Sequence, residues 1–144
     1  MSKDDIKQEQ KRSEGDPLLK SRVRNMQRRM ARGRMMANVA KATVVITNPT
    51  HLAVAIEYHD GMKAPKVLAK GPYHVAEKIV QIAKENRIPV VQNIPLARAI
   101  YKTIEIGQEI SSDLYLAMAE ILEYVYKLRG RTSFNPKTAD PQYS

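Results

Sequence analysis

Apolar and polar positions alternate along this chain in two rhythms, one helical and one extended. From Pro17 onward Leu19, Val23, Met26, Met30, Gly33, Ala37 and Ala40 recur at spacings of four and three, a narrow apolar stripe on a polar cylinder. Asp16 is placed to cap this helix and Pro17 to occupy its first turn, so the pattern predicts a helix to about Val39. Gly33 weakens its middle by about 1 kcal/mol relative to alanine. The rhythm then changes. Thr43 to Thr47 is β-branched throughout and predicts a buried strand. Leu52, Val54, Ile56 and Tyr58 alternate with Ala53, Ala55 and Glu57, a period-two strand with one large face and one small face. His59-Asp60-Gly61 is a turn, and Val67–Lys70 and Val90–Gln92 are two further short strands.

Three more helices follow from the same reasoning. After Gly71-Pro72, a helix carries Val75, Ala76, Ile79, Ile82 and Ala83 on one side and Glu77, Lys78, Gln81, Lys84 and Glu85 on the other. Asn93-Ile94-Pro95 opens a helix that turns Leu96, Ile100, Tyr101 and Ile104 inward and stops near Gly107. Ser112 or Asp113 caps a last helix striped by Leu114, Met118, Ile121, Leu122, Val125 and Leu128 and closed by Gly130. The predicted fold is α/β: a small four-stranded, mixed central sheet surrounded by about four helices, with a long basic N-terminal linker helix. Four segments result. Residues 1–16 form a disordered N-terminal segment too polar to offset its chain entropy, and 17–41 the basic linker helix. Residues 42–130 form the globular domain, and 131–144, with Pro136 and Pro141, a flexible tail.

Composition narrows the chemistry. With 144 residues, 43% of them hydrophobic, the chain can bury one modest core. It has no cysteine, which removes disulfides, thiol nucleophiles and thiolate metal sites and suits a reducing compartment. The three histidines, His51, His59 and His74, lack metal-ligand spacing, so no metal is expected. No phosphate loop, nucleophile–base–acid triad or cofactor signature appears, so neither a cofactor nor a turnover enzyme is expected. The first residues are polar rather than a signal peptide, and no apolar run is longer than a strand.

The net charge of +9 is unevenly spread. Lys20, Arg22, Arg24, Arg28, Arg29, Arg32, Arg34 and Lys41 lie between Pro17 and Ala42 with no acid among them, so this segment alone carries +8. The helix therefore has three readings. Its stripe packs on its own domain, or it lies against anionic headgroups, where each basic residue contributes roughly 1 kcal/mol, and these two are compatible. The third reading, phosphate contacts to nucleic acid, is the weakest, because no aromatic platform, nucleic-acid motif or second basic face accompanies the helix.

Between the first two strands stands Asn48-Pro49-Thr50-His51. Asn-Pro is a common turn starter, and on its own the tetrapeptide reads as an ordinary turn. Its chemistry allows a second reading. Proline has no N–H, so Pro49 cannot attack the Asn48 side chain as the next residue does in deamidation. The reverse attack remains: the Asn48 carboxamide nitrogen adds to Asn48's own backbone carbonyl, an imide closes, and the Pro49 nitrogen leaves. Asn48 would then be the nucleophile and Pro49 the leaving group. Histidine can accept a proton near neutrality, so His51, with Thr50, would either assist proton transfer or hold the turn.

Further runs bear on this choice: Ala42–His51, Ala53–Ile56, Ala64–Gly71, Pro95–Tyr101, Glu105–Gln108 and Ala117–Glu120. Each is short, but together in this order they are specific, and the match covers nearly the whole chain, from Asp16-Pro17 to about Leu128. The chain resembles the cytoplasmic domain of the FlhB, SpaS, YscU and EscU family of type III export switch proteins, and its Glu105–Gln108 run looks more flagellar than virulence-type. The resemblance implies self-cleavage between Asn48 and Pro49, once per chain. It also implies control over whether the export gate accepts rod and hook proteins or filament proteins. The partners it implies are other export-gate and export-apparatus proteins, a hook-length control protein and the export substrates, with no nucleic acid. It places the full-length protein in the bacterial inner membrane with this domain on the cytoplasmic side, so the basic helix is the linker leaving the membrane and meets its surface. Pro72-Tyr73-His74 departs from the small residues expected there and is expected to affect only a helix start. The cut falls between two paired strands, so the pieces of 48 and 96 residues (144 − 48 = 96) are expected to remain associated. The alternatives are the equivalent switch protein of a virulence system, or an uncleaved adaptor whose basic helix docks anionic lipid or an acidic partner.

Overall fold

The computed structural model describes residues 16–130. Helix α1 (Pro17–Val39) is followed by strands β1 (Val44–Asn48), β2 (Leu52–Glu57) and β3 (Lys66–Pro72), helix α2 (Tyr73–Glu85), strand β4 (Val90–Gln92), helix α3 (Ile94–Thr103), a 3-10 turn (Ser112–Leu114) and helix α4 (Tyr115–Leu128). The expectations for 1–15 and for the tail from 131 lie outside the described residues. The chain divides into two units after Arg34. In the first, every described residue is exposed, including Leu19, Val23, Met26 and Met30 of the apolar stripe.

The second unit is the α/β domain. Its sheet runs in the order β3-β2-β1-β4, with β1–β2 and β2–β3 antiparallel and β1–β4 parallel, so it is mixed. The large and small faces read from β2 become its two layers. On the large face Val44, Ile46, Val54 and Ile56 pack under α3 and α4, which contribute Leu96, Ile100, Met118, Leu122 and Val125. On the small face Val45, Ala53, Ala55 and Ala69 let α2 approach with Ala76, Ile79 and Ala83, and the end of α1 adds Val39. Gly71 marks the closest approach, where an added Cβ would run into the Val75 side chain. Because β1 is buried on both faces, it is the apolar run the sequence shows.

Three polar devices fix the layers. Thr43 is buried, and its hydroxyl donates to the Tyr58 carbonyl at 3.0 Å while accepting the Tyr58 N–H at 2.9 Å, which extends the β1–β2 pairing by side chain. Asn93 caps α3 through its side chain, 3.1 Å from the Leu96 N–H, and its own N–H donates to the Thr47 carbonyl at 3.1 Å. Lys70 on β3 donates to the carbonyls of Tyr101 and Ile104 at 2.8 and 2.9 Å, where a cation meets the negative end of α3.

Some boundaries differ from the sequence reading. β3 runs on to Pro72, and α2 begins at Tyr73. Helix α3 ends at Thr103 rather than near Gly107, and Leu128 is exposed rather than part of the α4 stripe. The residues released from α3 cover the outer edge of β3: the Gly107 N–H donates to the Val67 carbonyl at 2.7 Å, Val67 N–H to Gln108 at 3.0 Å and Ile110 N–H to Pro65 at 2.8 Å. That cover pairs backbone groups that the edge strand would otherwise leave open.

Candidate functional site: the turn between the first two strands

Asn48 is the last residue of β1 and pairs with Leu52, the first of β2, so Pro49, Thr50 and His51 form the connection. The His51 N–H donates to the Asn48 carbonyl at 3.0 Å, closing a β-turn with proline at its second position. Thr50, at the third position, has φ +66°, the pattern of a type II turn, which ordinarily places glycine or asparagine there. A β-branched residue in the left-handed region is strained by about 1–2 kcal/mol. All four residues expected at the site are therefore together, on the surface, with Asn48 half-buried and the other three exposed.

The turn bears on the Asn48 carbonyl in two ways. The His51 N–H already sits on the oxygen that becomes negative when the carbonyl is attacked, as an oxyanion donor does. Among the described residues nothing is hydrogen-bonded to the Asn48 carboxamide, so its nitrogen need not leave a partner to react. The His51 ring is engaged differently. Its Nδ1 lies 3.0 Å from the Pro49 carbonyl and 3.3 Å from Thr50 Oγ1. A carbonyl can only accept, so the hydrogen is on Nδ1 and the lone pair of the neutral ring is on Nε2. This arrangement folds the imidazole back over the turn.

Sequence reasoning missed Tyr73. Its N–H donates to the His51 carbonyl at 3.1 Å, and its ring centroid lies 6.2 Å from that of His51 at 49°. Pro72-Tyr73-His74, expected to affect only a helix start, thus reaches the turn itself through Tyr73. The reason is register: Leu52 pairs with Pro72, so the residue after Pro72 falls beside His51. A groove of about 440 Å³ is lined by Pro49, Thr50 and Leu52 and by Ala76, Val80 and Lys84 of α2. Among the described residues no three histidine, cysteine or carboxylate side chains gather as a metal site would require, and no helix is long and apolar enough to cross a membrane.

Residues 1–125 match the family model described as the FlhB HrpN YscU SpaS family. The chain belongs to this family. It is 52% identical over 130 residues to the flagellar biosynthetic protein FlhB of Bacillus subtilis (strain 168), covering 90% of this chain and 36% of that protein. It is equally identical, over 130 residues, to FlhB of Escherichia coli (strain K12), covering 90% of this chain and 34% of that one. The chain thus spans about a third of the length of the curated relatives it matches. Among solved structures, the cytoplasmic domain of FlhB from Shewanella putrefaciens superposes with a TM-score of 0.65 at 46% identity, over 68% of this chain and 76% of that one.

Proposed function

We propose that this chain is the cytoplasmic, self-cleaving part of a flagellar type III export switch protein, which breaks its own backbone once, between Asn48 and Pro49. The observation that carries the reading is the Asn48–His51 turn, where an Asn-Pro bond has a backbone N–H already on its carbonyl oxygen. The steps follow from the atoms present. The Asn48 carboxamide nitrogen adds to the Asn48 backbone carbon, and the oxygen gains negative charge under the His51 N–H. The bond from that carbon to the Pro49 nitrogen breaks. One carboxamide proton is transferred to the Pro49 nitrogen, which leaves as a secondary amine. Asn48 is left as a C-terminal cyclic imide, which one water later opens. Asn48 is the nucleophile and Pro49 the leaving group, while His51 and Thr50 hold the turn and His51 Nε2 is the atom available to relay a proton. The reaction consumes its own site, so the protein is not a turnover enzyme.

The position of the break supports a switch that leaves the domain assembled. The upstream piece ends with β1, which lies between β2 and β4. Burying Val39, Val44, Val45 and Ile46 contributes about 6–12 kcal/mol of gross burial toward holding that piece, at about 1.5–3 kcal/mol per side chain, against the cost of keeping two chains together. What changes is local: Pro49 and Thr50 wall a groove, and a cut frees that wall to move. In this reading export-gate and export-apparatus proteins, a hook-length control protein or export substrates distinguish the cut from the uncut surface. Rod and hook proteins then give way to filament proteins. The full-length protein resides in the bacterial inner membrane, and the basic, exposed face of α1 lies against anionic headgroups.

The deciding experiment is intact-protein mass spectrometry under denaturing conditions after incubation at neutral pH. Two species, one ending at Asn48 and one starting at Pro49, are expected, their masses summing to that of the chain before the imide opens. A single uncut chain overturns the self-cleavage reading and leaves an adaptor whose basic helix docks anionic lipid or an acidic partner.

A further inference from the structure

The residue that stands against the turn from outside it is Tyr73, and two of its contacts there are separable. The first is its backbone N–H on the His51 carbonyl at 3.1 Å, which any residue except proline can make. The second is the ring, 6.2 Å from the His51 imidazole and tilted by 49°, within the range of a favourable aromatic pair. Tyr73 reaches this position from φ +44°, a backbone region that a bulky side chain seldom adopts, and the residue is 62% exposed. Core burial therefore does not account for a large residue here, and local backbone preference argues against one. What the ring does touch is the histidine of the turn.

We propose that Tyr73 is a positioning residue for the break at Asn48–Pro49, a role that rests on the self-cleavage reading above. The His51 imidazole is tied through Nδ1 to the Pro49 carbonyl, and the tilted Tyr73 ring stands beside it. Fixing that side chain fixes the His51 backbone, and so keeps its N–H on the Asn48 carbonyl as charge develops there. An intramolecular attack is sensitive to such alignment. Removing the ring leaves the same bonds to form and break, with carboxamide proton and leaving amine unchanged, but in a looser turn.

The test compares cleavage time courses of the whole chain with those of Tyr73→Ala and Tyr73→Phe. Alanine keeps the Cβ that makes positive φ costly, so comparing alanine with phenylalanine tests chiefly the ring. Tyr73→Ala is expected to slow cleavage roughly three- to tenfold, the effect of losing one aromatic pair. Tyr73→Phe is expected to keep the parental rate. A second readout uses uncut protein, made with Asn48→Ala. There the NMR signals of the His51 ring protons are expected to shift when Tyr73 is replaced by alanine and to stay in place with phenylalanine. A parental chain that cleaves while Tyr73→Ala cleaves equally fast overturns the positioning role, as does a His51 ring signal indifferent to Tyr73. A parental chain that does not cleave, with the ring shift present, overturns the self-cleavage reading and leaves Tyr73 as a structural contact only.

Discussion

Each connection between the antiparallel strands of this domain contains a turn closed by the same hydrogen bond, and the two turns differ in the residue at the hardest position. In the turn after β2, the Met62 N–H reaches the His59 carbonyl at 3.1 Å, and the third residue is Gly61, at φ +92°. In the turn after β1, the His51 N–H reaches the Asn48 carbonyl at 3.0 Å, and the third residue is Thr50, at φ +66°. Glycine adopts that conformation without steric cost, and threonine does not. The same chain thus follows the local rule in one turn and breaks it in the other. Strain of this kind persists where surrounding contacts over-determine the backbone, and it gathers at functional sites. Here those contacts are the His51 imidazole folded onto Pro49 and the Tyr73 N–H on His51.

The largest expected effect is chemical. Asn48→Ala removes the nucleophile and is expected to abolish cleavage, seen as a single species by mass spectrometry. On that background His59→Asn with Asp60→Pro writes Asn-Pro into the other turn. No cleavage is expected there either, because that turn lacks the neighbours of His51. A cut at the new Asn-Pro bond would mean that the turn template alone suffices. Next in size is the strand behind the turn. Ile46→Ala is expected to cost about 2–5 kcal/mol in urea denaturation of uncut protein. In cut protein, pieces that stay together with Ile46 should separate on native size-exclusion chromatography without it. The smaller effects sharpen the steric contrast. Gly61→Ala is expected to destabilise the Asn48→Ala protein by about 1 kcal/mol, because its φ suits only glycine. Thr50→Asn should change stability in the opposite direction by about 0.5–1 kcal/mol, since asparagine tolerates the left-handed region that threonine resists. Loss of stability with Thr50→Asn would show that the Thr50 hydroxyl beside His51 outweighs the strain.

Much of this fold was legible because its signals are local. The alternation at Leu52–Tyr58 foretold one large and one small sheet face, and those became the two layers. Asn93 announced its helix because capping is decided within one turn. The strand order was not legible. β4 pairs in parallel with β1 rather than with β3, a choice made by packing across the whole sheet. The cover over the β3 edge was missed for a related reason. Glu105–Ile110 carries no strand pattern and pairs only by meeting Pro65–Val67 in space. At the site, the four residues of the turn could be named in advance, but the positive φ of Thr50 could not, since β-branched residues are what the sequence rules exclude there. Tyr73 was out of reach as well, because only the pairing of Pro72 with Leu52 brings it beside His51.

The central place of β1 has a consequence for molecularity. An intact chain unfolds as one molecule, so its midpoint does not depend on how much protein is present. Once the bond after Asn48 is broken, the strand between β2 and β4 belongs to a separate chain, and unfolding becomes a dissociation. The midpoint of the cut form then rises with protein concentration. Dilution alone can empty the centre of the sheet, and regaining it requires an encounter between two molecules where folding once closed a loop.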